Sequence, residues 1–265
     1  MNELKFVCFG EVLWDVFPSH KKIGGAPLNV AIRLNSFGND VFIVSKIGKD
    51  ELGKLLVKFV NEKGLDDQNI QIDSNLKTGE VEVVLDEKGS ASYSIMYPRA
   101  WDQIVMKDKL KHLVISSDVF IFGSLICRNN VSRDTLEKLL GHAKFKVFDV
   151  NLRAPFYNHE VLFGLMKKAN FIKFNEEELS EICKYHESGY TTIEENIFYI
   201  SKKTNTDHVC VTKGENGAVL YCANKFFYND GFYNDFEDFG EDDDYFYYKS
   251  KRNKKILEEK DRLHE

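Results

Sequence analysis

No stretch of this chain approaches 18 uninterrupted apolar residues, so no membrane-spanning helix is written into it. Its first residues, MNELKFVCFGE, carry neither the basic start nor the long apolar core of a secretory leader, and the chain is expected to be soluble and cytoplasmic. Positive charge is in short supply. Lys and Arg number 36 against 42 Asp and Glu, a net charge of −6, and no basic stripe follows any expected helix, which argues against nucleic acid and anionic membranes as partners. Paired cysteines are missing as well. Cys8, Cys127, Cys183, Cys210 and Cys222 stand far apart, odd in number and without a CxxC, which excludes a disulfide framework or zinc knuckle and leaves them as small buried hydrophobes.

What is present suits one large α/β domain: 265 residues, 43% hydrophobic and 13% aromatic, enough to bury a sizeable core. Short apolar runs at 4–9, 41–44, 119–122, 147–150, 171–174 and 208–212, bounded by polar or glycine punctuation, suit strands buried on both faces. Between them, residues 26–37, 51–62, 133–142, 176–185 and 193–203 have helical period. Strand and helix alternate, which predicts a mostly parallel sheet. One region breaks the pattern: 79–85 and 90–96 read as strands joined by DEKG, a hairpin with Gly89 free to take positive φ.

Two strings near the start carry chemistry. GEVLWD, residues 10–15, puts Asp15 beyond the first strand, at the carboxyl edge of the expected sheet, where open α/β folds bind ligands. A carboxylate there accepts hydrogen bonds from two neighbouring hydroxyls. GGAPLNVAIRLNSFG, residues 24–38, follows: Gly24 and Gly25 let backbone approach a ligand, Pro27 suits a first helical turn, and Asn29 offers a bifunctional amide. Each alone is equally a tight strand-to-helix turn. Together, at this spacing, they resemble the amino-terminal signature of the ribokinase (PfkB) sugar kinases, fructokinase-like branch.

The resemblance runs on through SKIGKDELGKLL (45–56), TGEVEVVLDEKGSASY (78–93) and YPRAWDQI (97–104) to FDVNLRAPFY (148–157). It implies a ribokinase-like three-layer α/β fold with a small β lid, made of strands within 12–24 and 78–97, that is also a surface for pairing two copies. Asp15, Gly24, Gly25, Asn29 and Asn151 would bind sugar, with Trp101 either stacked on it or simply core, and Arg153 would serve the transferring phosphoryl group. KFNEEELSEI (173–182) resembles the family's NxxE motif, in which Asn175 and Glu178 share one face of a helix start and hold the water shell of Mg²⁺ on ATP. As a bare string it is also a good helix start. VTKGENGA (211–218) resembles the nucleotide-site turn, with Thr212 and Gly214 near the phosphates and Gly217 in the turn, though the same letters make an ordinary hairpin.

After residue 228 the composition changes. Residues 229–265 are an acidic, aromatic segment and a charged tail, set apart from a kinase domain spanning 1–228. The family's DTxGAGD motif supplies a helix amino terminus for the phosphoryl group and an aspartate base. Here its nearest echo is EDFGEDD (237–243), which brings Asp243 to the base position when one residue is deleted. Glu241 and Asp242 then set carboxylates against the triphosphate. The expected activity is ATP-dependent phosphorylation of a sugar, fructose or a related ketose. The alternatives are a sugar- and nucleotide-binding copy impaired in turnover, a truncated product, or a lid-mediated dimerisation module.

Overall fold

The structure, a computed structural model, describes residues 4–85 and 91–231, with the side chains of 83–93 left aside. Gly89 and Asp243 therefore lie outside the described residues.

Among the described residues, thirteen strands and seven α-helices follow one another. β1 (Lys5–Phe9) leads into β2 (Leu13–Val16) and β3 (Lys21–Gly24), then α1 (Ala26–Ser36), β4 (Asp40–Gly48), α2 (Glu51–Glu62) and β5 (Ile70–Asp73). The hairpin β6 (Gly79–Leu85) and β7 (Ala91–Ile95) interrupts, and then come α3 (Asp108–Ser116), β8 (Val119–Gly123), α4 (Asn130–Leu140), β9 (Phe145–Asp149), α5 (His159–Lys168) and β10 (Phe171–Asn175). α6 (Glu176–Tyr185), α7 (Ile193–Thr204), β11 (His208–Thr212), β12 (Ala218–Cys222) and β13 (Lys225–Asn229) complete the described chain.

The large sheet has nine strands in the order β13-β12-β11-β10-β9-β8-β1-β4-β5, and the small one four, β3-β2-β6-β7. From β5 across to β11 every pairing is parallel, and only β12 and β13 run against their neighbours. The expected three-layer α/β fold with its small second sheet is thus present.

Period-two alternation sorts the sheet into faces. Val7, Phe9, Phe120, Phe122, Phe148, Ile172, Phe174, Val209 and Val211 point into one core, filled from the other side by leucines and isoleucines of α3 to α7. Cys8, Ile43, Ile121 and their neighbours form a second core beneath α1 and α2. Among the described residues, cover on this second face stops at Val147. Beyond it, Phe171, Lys173, His208, Cys210, Leu220 and Phe227 share the face, and none of them joins either cluster.

The helices start where local chemistry dictates. Asp50 caps α2 by accepting from Gly53 N–H, Asn158 caps α5, and Asn175 and Thr192 open α6 and α7 with reciprocal capping boxes. α1 differs: its cap position is Gly25, which has no side chain to offer. All five cysteines are free; Cys8 and Cys183 are buried, the others half-buried. No helix is long and apolar enough to cross a membrane among the described residues.

Candidate active site

The carboxyl ends of β1, β9, β10 and β11 line one edge of the large sheet, and residues 10–12 lead from the end of β1 into the small sheet. Asp15 is placed within β2, after the first strand. It is paired across to Lys22 on β3 and to Val81 on β6, so the small sheet itself carries the carboxylate. It is half-buried. Burial raises its pKa, while Lys22 and Arg153 oppose the rise. Gly24, its neighbour on β3, leaves the room it needs, since a Cβ there would stand 2.5 Å from Asp15 Oδ2.

Gly25 turns the chain from β3 into α1 at φ +113, a region open to glycine, and a Cβ would meet the Glu11 carbonyl oxygen at 2.5 Å. Asn29 follows on the first turn of α1, its side chain exposed and its backbone N–H donating to the Gly25 carbonyl at 3.0 Å. Glu11 was not singled out by any motif, yet it is 2% exposed and closes the same corner. Burial is the main force on its carboxyl and pushes the pKa up to about 7, against the pull of the Glu11 and Ala26 amides and of Arg153.

The end of β9 approaches from the other side. Asn151 adopts φ +40, a conformation asparagine tolerates better than most residues, and its carbonyl accepts from Ser124 Oγ at 3.2 Å. Arg153 is exposed, with Nη1 donating to the Leu152 carbonyl at 2.9 Å, and its charge acts on both Glu11 and Asp15. Beneath it, Lys173 Nζ lies 3.0 Å from Asp149 Oδ1, close enough for an ion pair although off the line of a good hydrogen bond.

Asn175 and Glu178 do share one face, as a capping box. Glu178 N–H donates to Asn175 Oδ1 at 2.8 Å and Asn175 N–H to Glu178 Oε2 at 2.8 Å. The other oxygen, Oε1, accepts Leu152 N–H at 3.0 Å, so this 6%-exposed carboxylate ties the Asn151–Arg153 loop to α6. Thr212 pairs with Asn175 across the parallel ladder, its hydroxyl donating to the Phe174 carbonyl at 3.2 Å. Gly214 and Gly217 bracket the short turn that follows.

Trp101 is not part of this edge. It has no exposed surface, lies in the first core, and carries the Arg128 guanidinium over its ring at 3.8 Å. Of its two readings, core is the one the packing supports, because no face of the indole is left for a ligand. Arg128 is held in turn by both Asp102 oxygens, at 2.7 and 2.8 Å, and donates to the Met96 carbonyl at 2.8 Å, fastening the end of β7 to the large domain.

A family model described as pfkB family carbohydrate kinase matches residues 1–234. Among curated proteins, a probable fructokinase-2 of Arabidopsis thaliana is 28% identical over 242 residues, covering 83% of this chain and 72% of the relative. Among solved structures, a fructokinase with bound ATP from Xylella fastidiosa superposes with a TM-score of 0.78 at 21% identity, covering 88% of this chain and 76% of the other. A double mutant of the Vibrio cholerae fructokinase, solved with fructose, ADP and potassium ion bound, gives a TM-score of 0.72 at 22% identity over 87% and 77%.

Proposed function

The chain belongs to the pfkB family of carbohydrate kinases, and from that membership we propose that its sugar is fructose or a closely related ketose, held between the small sheet and the carboxyl edge of the large one. The chemistry of the family is phosphoryl transfer from ATP to a sugar hydroxyl, which places most of the demand on positioning and charge. One observation carries the reading: Gly24 leaves room for the Asp15 carboxylate on the small sheet, and the charge of Arg153, on the loop after β9, favours its ionised form. In this reading Asp15 and Asn29 accept and donate to sugar hydroxyls, Asn151 lines the sugar, and Arg153 meets phosphoryl oxygens with its planar fork. The fructokinases among the relatives and the fructose-bound Vibrio neighbour support the choice of a ketose.

The nucleotide side is assigned to Asn175, Thr212, Gly214 and Gly217. Mg²⁺ would be held through water at Glu178, where it would neutralise charge on the triphosphate. The donors present fit a hydrated ion better than direct ligation. No group of three or more His, Cys, Asp or Glu gathers among the described residues, and both Glu178 oxygens already accept backbone amides while keeping lone pairs. The small sheet, with β3 and β7 as its edges, is also where two copies would pair.

Fructose at millimolar concentration should raise the thermal midpoint by mass action, and Asp15→Ala should remove the shift. An unshifted midpoint with fructose, ribose and nucleosides alike would rule this sugar site out.

A further inference from the structure

We propose that residues 232–248 of this same chain cover the bare strip of the large sheet, folding back from the end of β13 onto Phe171, His208, Leu220 and Phe227.

The strip is one face of the last four strands. Along β12, Val219 and Tyr221 turn into the first core, and Phe226 of β13 packs against that core. The alternate residues turn the other way. Leu220 stands opposite Cys210 on one side and Phe227 on the other, and Cys222 stands opposite His208 and Lys225. β10 continues the two rows with Lys173 and Phe171. Neither cluster that contains the helices includes these side chains, and Phe227 is 52% exposed. The His208 ring lies against those of Phe145 and Phe171, with centroids 6.0 and 6.5 Å away, so the strip has an aromatic floor. A sheet face of this kind is stabilised by a further layer that takes it out of water.

The chain itself supplies that layer. β13 is the edge strand of the face, and its end is pinned: Gly217 and Gly231 have no room for a Cβ, because the Asn229 and Glu215 carbonyls stand against them. Asn229 is level with Ala218, and Ala218 with Thr212, so the chain leaves β13 at the carboxyl edge, directly beside the strip. Residues 232–248, at up to ~3.3 Å each, reach well beyond the roughly 15 Å across four strands. Their composition fits the floor. Rings recur at Phe232, Tyr233, Phe236 and Phe239 and again at 245–248, with carboxylates at 235, 237, 238 and 241–244 between them. The strip offers cations at both sides, Lys225 on β13 and Lys173, shared with Asp149, on β10. A segment tethered beside its target meets it at an effective concentration on the order of millimolar, which favours it over a second copy or a separate protein.

Chymotrypsin, which cuts after Phe and Tyr, gives the first readout on the full unaltered chain. Residues 232–248 should be cut at least ~10-fold more slowly than a synthetic peptide of the same sequence, because docked chain must open before it is cleaved. Cutting at the rate of the peptide overturns the proposal. Cys210 and Cys222, half-buried on the strip, give the second readout. Pulsed labelling with iodoacetamide, followed site by site, should accelerate several-fold at these two thiols when Phe236, Phe239, Tyr245 and Phe246 are all changed to serine, and stay slow at Cys8 and Cys183 in the cores. Unchanged rates at Cys210 and Cys222 overturn the proposal. Should that variant fail to fold, the protease result on the parent decides. Protection that grows with protein concentration would put the segment of one copy on the strip of another and overturn docking within the chain.

Discussion

Glu11 sets a stability signature of its own. Its carboxyl titrates near 7 in the folded chain against an ordinary value of 4.5. Below 4.5 both folded and unfolded chains carry the proton. As pH rises through the window from 4.5 to 7, the unfolded chain releases it first, and folding loses up to ~3 kcal/mol, a loss that then stays constant. Glu11→Gln removes this penalty. Its gain in thermal midpoint should grow from near zero at pH 4.5 to about 5–10 °C at pH 8, measured by calorimetry across that range. Curves for parent and variant that run parallel with pH would place the titration elsewhere. The string GEVLWD showed a glutamate after a strand, but its letters gave no sign that the side chain would turn inward beneath a helix whose own cap is glycine. Trp101 shows the same limit from the other side: an aromatic in a motif-like string reads as a ligand platform or as core, and only packing against Arg128 decides.

Among the elements, α2 is joined to the small sheet by Trp14 on β2, whose Nε1 donates to the Leu52 carbonyl at 3.1 Å, and to the start of β6 by Asp50. Asp50 caps α2 through Gly53 N–H at 2.8 Å, and it also accepts Thr78 N–H at 2.8 Å and the Thr78 hydroxyl at 2.6 Å, just before β6 begins. Burial alone would raise its pKa, but these donors outweigh it and the net shift is downward. Its contribution is therefore complete at neutral pH and is lost as pH falls through the lowered folded value. Asp50→Ala should cost about 1–2 kcal/mol from the cap and roughly as much again from the Thr78 groups left without an acceptor, read as a fall in urea midpoint at pH 7 that shrinks by pH 3. An equal deficit at both pH values would assign the loss to packing.

The same scale shows why some elements were legible. Residues 51–62 and 176–185 carry a cap and an apolar period together, and both helices form over those spans. α3 and α5 passed unnoticed in the sequence, as did β12 and β13. The two strands form an antiparallel edge: β12, AVLYC, is apolar throughout yet buries only Val219 and Tyr221 fully, and β13, KFFYN, is mostly exposed.

At the scale of the whole molecule, the sheet edge proposed to bind ligand adjoins a face whose cover, among the described residues, is partial. α1 and α2 shield the second face of the large sheet only as far as Val147, and the strip from Phe171 to Phe227 lies outside both cores among the described residues. In sequence, the segment that should bring a glycine-rich helix start and an aspartate base instead offers Glu241, Asp242 and Asp243 in a row. Losing a general base typically lowers turnover by ~10²–10⁴-fold, and losing the donors that stabilise developing charge lowers it by a further ~10²–10³-fold. The chain should accordingly bind fructose yet phosphorylate it slowly. Replacing residues 236–265 with a DTVGAGD-type segment and its following helices should raise kcat by at least ~10²-fold while leaving the affinity for fructose within a few-fold of the parent, because the residues proposed to hold the sugar, Asp15, Asn29 and Asn151, are untouched. Asp243→Asn in the present chain should change kcat little. A coupled assay for ADP release on the three proteins decides the matter: turnover in the parent already equal to that of the chimera, and abolished by Asp243→Asn, would mean that the acidic row supplies the base after all.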